Sequence, residues 1–341
     1  MTQDQSQASV QELIDATKQT QRYWAHLFMC ITKPAVEEYG KKGEIAAREG
    51  IRNLGAFRGR EIGKWHRSEG LPLNMESLVR FWDTGGRYSI PEDETVYAPY
   101  DVQFQARHCP LYDAWKEEGW EWFGYWFCDE MHQEMVKSYN SDAIVEIHEN
   151  LNKGDDFCGF RFMMVPSGQP ENAPAQALAK KMQAQPLEYA LGCLKQTVRC
   201  VGATYGYMAQ AIVKYLGEKT GRDLIAKANA ELGAKRGRRI KEELETLGKP
   251  ITVKNILGAF DLPYTKIWRI NELQSDRPYV AEVRYCPFAE VWQELGQLPL
   301  GALYCNDIYK SLFKSMRSEA DVDIPECLAR NGKLCRFEFK V

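Results

Sequence analysis

Cys158-Gly159-Phe160-Arg161-Phe162 and Cys335-Arg336-Phe337-Glu338-Phe339 read as two versions of one strand, and each closes a run of three cysteines. Cys109, Cys128 and Cys158 are separated by 19 and 30 residues, and so are Cys286, Cys305 and Cys335. The surroundings repeat as well. Cys109-Pro110 matches Cys286-Pro287, Trp115 matches Trp292, Gly119 matches Gly296, and Gly124 matches Gly301. A self-similarity of this kind decides the fold before any single element does.

The duplication extends upstream. Leu54-Gly55-Ala56, Arg58-Gly59-Arg60 and Ile62 align with Leu232-Gly233-Ala234, Arg236-Gly237-Arg238 and Ile240. Gly70, Pro72 and Asp83 align with Gly248, Pro250 and Asp261, and Gln19, Thr20 and Arg22 with Gln196, Thr197 and Arg199. The period is near 177 residues, long enough for each copy to form its own core. The sequence divides into a first repeat at 9–165, a linker at 166–186 and a second repeat at 187–341. The linker is rich in Pro, Gln and Ala, and the polar first eight residues are expected to fray.

Within each repeat a helical part precedes a mixed one, at 9–95 and 96–165, then at 187–275 and 276–341. Helix-compatible periodicity covers 9–30, 35–49, 50–69 and 75–82, with Asn74 and Thr252 as N-caps. Val102, Phe104, Ala106 and His108 alternate with polar residues as in a half-buried strand, and Ala281, Val283 and Tyr285 do the same. Residues 123–128 and 301–305 are expected to be buried strands. Strands are also expected over 143–148 and 157–165, with Gly154-Asp155-Asp156 as the turn between them. The fold class is α+β, two tandem copies of a helical layer packed on a small antiparallel sheet.

The net charge of −3 gives no general attraction to nucleic acid or to an anionic membrane surface. No apolar run is long enough to span a bilayer, and the start does not read as a secretory signal, so a cytoplasmic protein is expected. Ten cysteines in a reducing compartment are free thiols, metal ligands or reactive groups rather than a disulfide framework.

The two copies differ in their titratable groups. All five histidines, His26, His66, His108, His132 and His148, lie in the first. Tyr285, Tyr309 and Pro325 stand where the first copy has His108, His132 and His148. Asp129, Asp155 and Asp156 become Asn306, Gly332 and Lys333, while Glu130 is kept as Asp307. The first copy therefore reads as the working one and the second as structural. His132 follows Cys128 by four residues, and if a helix begins at Cys128 the two face the same side. Trp115, Trp126 and neighbouring aromatics are core residues or the wall of an apolar pocket. Arg58 and Arg60, kept as Arg236 and Arg238, suit a substrate carboxylate or an ion pair between helices and sheet. The cysteine triads are buried hydrophobes, metal ligands or nucleophiles, and these readings stay open.

Cys109-Pro110 with Trp115, Cys128-Asp129-Glu130 and the final Gly154-Asp155-Asp156-Phe157-Cys158-Gly159-Phe160-Arg161-Phe162 resemble the L-2-amino-thiazoline-4-carboxylic acid hydrolase family. More distantly, the unit looks like 4-vinyl-reductase-type domains, which resemble TRAPP-type folds and bind small molecules. The resemblance implies a small-molecule substrate and ring opening of a cyclic amidine by cleavage of a cyclic C–N bond. That chemistry needs an activated water or nucleophile, a carboxylate to favour the amidinium, and a proton donor. Cys128, Asp129, Glu130 and His132 are the catalytic candidates. Arg58, Arg60, His108, Trp115, Trp126, Asp155 and Asp156 are the substrate-binding ones. No cofactor is required by the sequence, although a thiolate-bound metal is compatible with it. The rival readings are a non-catalytic small-molecule binding or sensing protein and a thiolate-bound metal or redox protein; a homodimer stays open.

Overall fold

In the computed structural model, which describes residues 8–86, 94–165, 173–275 and 278–341, the first copy begins with two long helices, α1 (Val10–Tyr39) and α2 (Lys41–Ser68). They are followed by α3 (Met75–Arg80), β1 (Val96–Ala98), β2 (Asp101–Ala106), α4 (Pro110–Glu117), α5 (Glu121–Tyr139), β3 (Ala143–Glu149) and β4 (Cys158–Met164). After α6 (Ala173–Ala184) the second copy repeats the series. It comprises α7 (Pro186–Leu216), α8 (Glu218–Thr246), α9 (Val253–Gly258), α10 (Tyr264–Ile267), β5 (Arg269–Gln274), β6 (Tyr279–Tyr285), α11 (Pro287–Glu294), α12 (Leu298–Met316), β7 (Asp321–Glu326) and β8 (Cys335–Lys340).

The sheets run β1-β2-β4-β3 and β5-β6-β8-β7, with every described pair antiparallel. Their registers coincide: Phe104 faces Phe160 in the first sheet, and Ala281 faces Phe337 in the second. Period-two alternation turns Val102, Phe104, Phe160 and Phe162 inward, while Ile144 on β3 stays 55% exposed. The caps are as expected, with Asn74 and Thr252 accepting from the backbone N–H of Ser77 and Asn255.

The retained Gly-x-x-x-Gly spacing marks a close helix crossing. A side chain on Gly55 or Gly59 of α2 would collide with the carbonyl oxygens of Met131 and Met135 on α5. Gly233 and Gly237 of α8 meet Ile308 and Leu312 of α12 in the same way. The second retained contact is an indole N–H. Trp115 Nε1 donates to the Ala25 carbonyl at 3.1 Å, and Trp292 Nε1 donates to the Gly202 carbonyl at 2.8 Å.

Four expectations are corrected. Residues 123–128 and 301–305 lie within α5 and α12 and are not strands. The helical break expected between 30 and 35 is absent, because α1 continues through Pro34; the chain breaks instead at Gly40, whose φ is +52°. The break expected between 49 and 50 is likewise absent, both residues lying within α2. The expected linker is helical from 173 to 184, because Ala175, Leu178, Ala179 and Met182 form a stripe at helical spacing that packs on Leu71, Phe81 and Trp65. Its first part, 166–172, and the fraying expected at the start, apart from Ala8, lie outside the described residues.

The packing units do not coincide with the sequence copies. One unit is Ser9–Ala25 with Arg48–Cys200, and the other contains His26–Ala47 and Val201–Val341. The seams fall inside α1, α2 and α7. Among the described residues no helix is long and apolar enough to cross a membrane.

Candidate active site

In the unit built on the first sheet, α5 turns Cys128 and His132 to its buried side. His132 Nδ1 lies 2.6 Å from the Cys128 carbonyl oxygen. A carbonyl only accepts, so Nδ1 carries the proton and the Nε2 lone pair is left for another group. The imidazole sits between Trp82 and Phe160, at centroid distances of 5.9 and 5.0 Å. Burial holds its pKa down to about 4; the Cys128 carbonyl opposes this and the Arg58 cation adds to it. His132 is therefore neutral near pH 7.

Next to it is a charge pair enclosed by protein. Arg58, 2% exposed, donates from Nε to Asp83 Oδ2 at 3.2 Å and from Nη2 to Asp83 Oδ1. Its guanidinium also reaches the Met131 sulfur at 3.1 Å and the Thr84 hydroxyl at 3.3 Å, over the ring of Trp82. Cys200 Sγ lies 3.9 Å from Asp83 Oδ2. Trp82 and Asp83 also form one end of a cavity of about 640 Å³ between α2, α6 and α7. Lys64, Lys181, Glu188 and Tyr189 bring polar groups to its walls, and Trp65, Leu178 and Met182 bring apolar ones. This size and mixture suit a small-molecule ligand.

The thiols of the first triad are close enough to perturb one another. Burial pushes Cys128 well up, and Cys158 and Cys109 add to the effect. Burial raises Cys158 to about 12 and also raises Cys109. All three are thiols, not thiolates, at neutral pH. Asn152 Nδ2 approaches Cys128 Sγ at 3.6 Å, and the Leu151 N–H approaches Cys158 Sγ at 3.4 Å. Among the described residues no group of three or more His, Cys, Asp or Glu side chains is arranged to hold a metal ion. None of the ten cysteines forms a disulfide in this structure.

The other expected residues are dispersed. Glu130 turns to α2, where Arg48 and Arg52 donate to it at 2.7 and 2.9 Å. Asp129 is half-buried, and burial followed by Glu130 raises its pKa. Trp115 is fully buried beneath α1, and Trp126 is buried under the Arg48 guanidinium at 4.4 Å. Arg60 and His108 are exposed. Asp155 and Asp156 are exposed at a turn, where Asp155 accepts the Asn150 N–H at 2.6 Å. Of the expected set, Cys128, His132 and Arg58 come together. Trp82 was not singled out and Asp83 was noted only as retained in Asp261, although the pairs Arg58–Asp83 and Arg236–Asp261 share a spacing of 25. That common interval was the available signal. The α6 wall lies in the expected linker, and neither it nor α7 offered a site residue.

A family model described as L-2-amino-thiazoline-4-carboxylic acid hydrolase matches residues 21–162 and again 197–339. No curated protein matches the chain, and neither does any solved structure.

Proposed function

Because the chain belongs to the L-2-amino-thiazoline-4-carboxylic acid hydrolase family through both of its copies, we propose that it hydrolyses a small ring compound containing nitrogen and sulfur, opening a cyclic amidine at its C–N bond. The observation that carries this reading is the meeting of the large cavity with Trp82 and Asp83, one ring away from the neutral imidazole of His132.

The roles follow from charge and proton inventory. A carboxylate on the ring pairs with Lys64 or Lys181 at the wall. The Asp83 carboxylate accepts from the amidine N–H and favours the amidinium, which makes the central carbon more electrophilic. Water adds to that carbon; its oxygen forms the new bond while a proton passes through an intervening water to the Nε2 of His132, which does not itself line the cavity. The carbon–nitrogen ring bond then breaks: the departing nitrogen takes the proton back from His132, and the new hydroxyl releases its proton as it becomes the carbonyl, so the proton that came with the amidinium leaves on the product amine. The product of a 2-aminothiazoline is a carbamoyl group on sulfur with a free amine on the former ring carbon. Cys128 acts as a positioning residue, since its carbonyl fixes the tautomer of His132.

The test is incubation of the full chain with 2-amino-thiazoline-4-carboxylate, following loss of ring absorbance and the mass of the product. Turnover is expected, and His132→Gln is expected to reduce kcat by about a hundredfold with the fold retained. Binding without turnover would favour a sensing protein instead. Neither binding nor turnover with thiazoline, oxazoline and imidazoline carboxylates would end the hydrolase reading.

A further inference from the structure

The second sheet differs from the first at one inward position, and a cavity lies beside it. Phe104 stacks on Phe160 and Phe162 with centroid distances of 5.1 and 5.8 Å. At the equivalent register the second sheet has Ala281, opposite Phe337. Phe337 and Phe339 keep their own stack at 5.7 Å, so the missing ring leaves space and not a rearranged sheet. The space measures about 60 Å³ open to water-sized spheres. One buried water needs about 10–15 Å³, so the space exceeds that of a single water several-fold.

We infer that the second copy holds a binding site of its own, for a small planar, largely apolar ring that carries one hydrogen-bond acceptor. The walls are almost wholly apolar or soft. Trp268 and Trp292 supply indole faces, and Cys286, Cys305 and Cys335 supply sulfur. The polar exception is a pair of phenols: Tyr264 and Tyr309 both line the cavity, and their hydroxyl oxygens are 2.6 Å apart. Two hydroxyl protons are present and one closes the bond between them, so the other is left to donate to a ligand. Burial raises Tyr264 to about 12 and raises Tyr309 as well, which keeps both phenols protonated. Trp268 Nε1 donates to Cys286 Sγ at 3.3 Å, so that indole does not compete for the ligand. The site stands on its own geometry and does not depend on the hydrolase reading.

Benzene and pyridine are matched probes, since they differ in one ring acceptor. Calorimetric titration of the full chain at pH 8, where pyridine is neutral, should detect both. Ala281→Phe restores the ring that the first copy already packs, and it should weaken both probes by at least tenfold without lowering the melting temperature. Tyr264→Phe/Tyr309→Phe should weaken pyridine more than benzene, with Tyr309→Phe alone as the check if the double variant melts early. Failure of the wild type to bind either probe, or undiminished binding in Ala281→Phe, would overturn the site. An unchanged pyridine-to-benzene ratio in the folded tyrosine variants would overturn the acceptor assignment.

Discussion

His132 Nδ1 lies 2.6 Å from the carbonyl oxygen of Cys128, one helical turn earlier on α5. The contact makes the backbone of a cysteine, and not its thiol, the partner of the histidine. Cys128→Ala should therefore leave turnover of a thiazoline substrate within about threefold, whereas His132→Gln should remove most of it. Glu130→Gln, on the face turned to Arg48 and Arg52, should resemble Cys128→Ala. Steady-state kinetics of the three variants separate the roles.

Two buried histidines predict an acid-sensitive fold. Burial lowers His132 from 6.5 to about 4 and His66 from 6.5 to about 3. Below pH 6.5 the unfolded chain takes up protons that these native imidazoles refuse. Stability is therefore full above pH 6.5 and is lost as pH falls towards 4 and then 3. At about 1.4 kcal/mol per pH unit, His132 alone accounts for a loss on the order of 3 kcal/mol. Denaturant midpoints measured between pH 7 and pH 4 should fall in the wild type. They should fall less in His132→Gln and in His66→Gln, whose parent ring bonds Tyr139 at 2.8 Å.

The Arg58–Asp83 pair should give a strongly non-additive cycle. Asp83→Ala leaves a buried guanidinium without its carboxylate and is expected to cost about 3–5 kcal/mol. Arg58→Met combined with Asp83→Ala should cost less than the sum of the singles. The second copy differs because Asp261 also binds Arg239 at 3.0 Å. Arg236→Met should therefore be milder than Arg58→Met, as read from urea midpoints.

Helical glycines should be intolerant where helices cross and tolerant where the space beside them is open. Gly55→Ala and Gly59→Ala push a methyl into the backbone of α5, at a cost of about 1–3 kcal/mol. Gly192 in α7 has nothing within 4 Å of a built Cβ, so Gly192→Ala should stabilise by about 0.5–1 kcal/mol. Thermal melts of the three variants decide this.

Thiol counting tests the cysteine chemistry. Denatured, unreduced protein should titrate ten thiols, all of them free in the fold. Cys109, Cys128, Cys158 and Cys193 should react slowly at pH 7 and faster above pH 9, because burial raises them, whereas hydrogen bonds from Cys305 and Cys335 lower Cys327. Fast modification of Cys128 at pH 7 would contradict its placement.

Much of the architecture was legible because duplication tests each reading twice. The sheet strands around Phe104, Phe160 and Phe337, and the caps Asn74 and Thr252, are local patterns with local causes. The misreading of 123–128 has a physical source. A short aromatic run has no period of its own, and aromatic residues favour strands, so Phe123, Tyr125 and Trp126 read as part of a buried strand. In the fold they wrap round a helix, with Trp122 60% exposed and Trp126 buried. The site was less legible than the fold. His132 and Arg58 were visible as residue types, but their meeting with Trp82 and Asp83 depends on how α2, α3 and α5 pack. The cavity beside Ala281 rests on one absent ring, a difference that a search for titratable groups passes over.

The division of α7 at Cys200 means that neither repeat by itself encodes a whole packing unit. Pro186–Cys200 is inherited with the second repeat, yet it belongs to the unit of the first sheet, where Tyr189 and Cys193 line the cavity. Excising either repeat would now open the surviving unit along a flank that it no longer encodes.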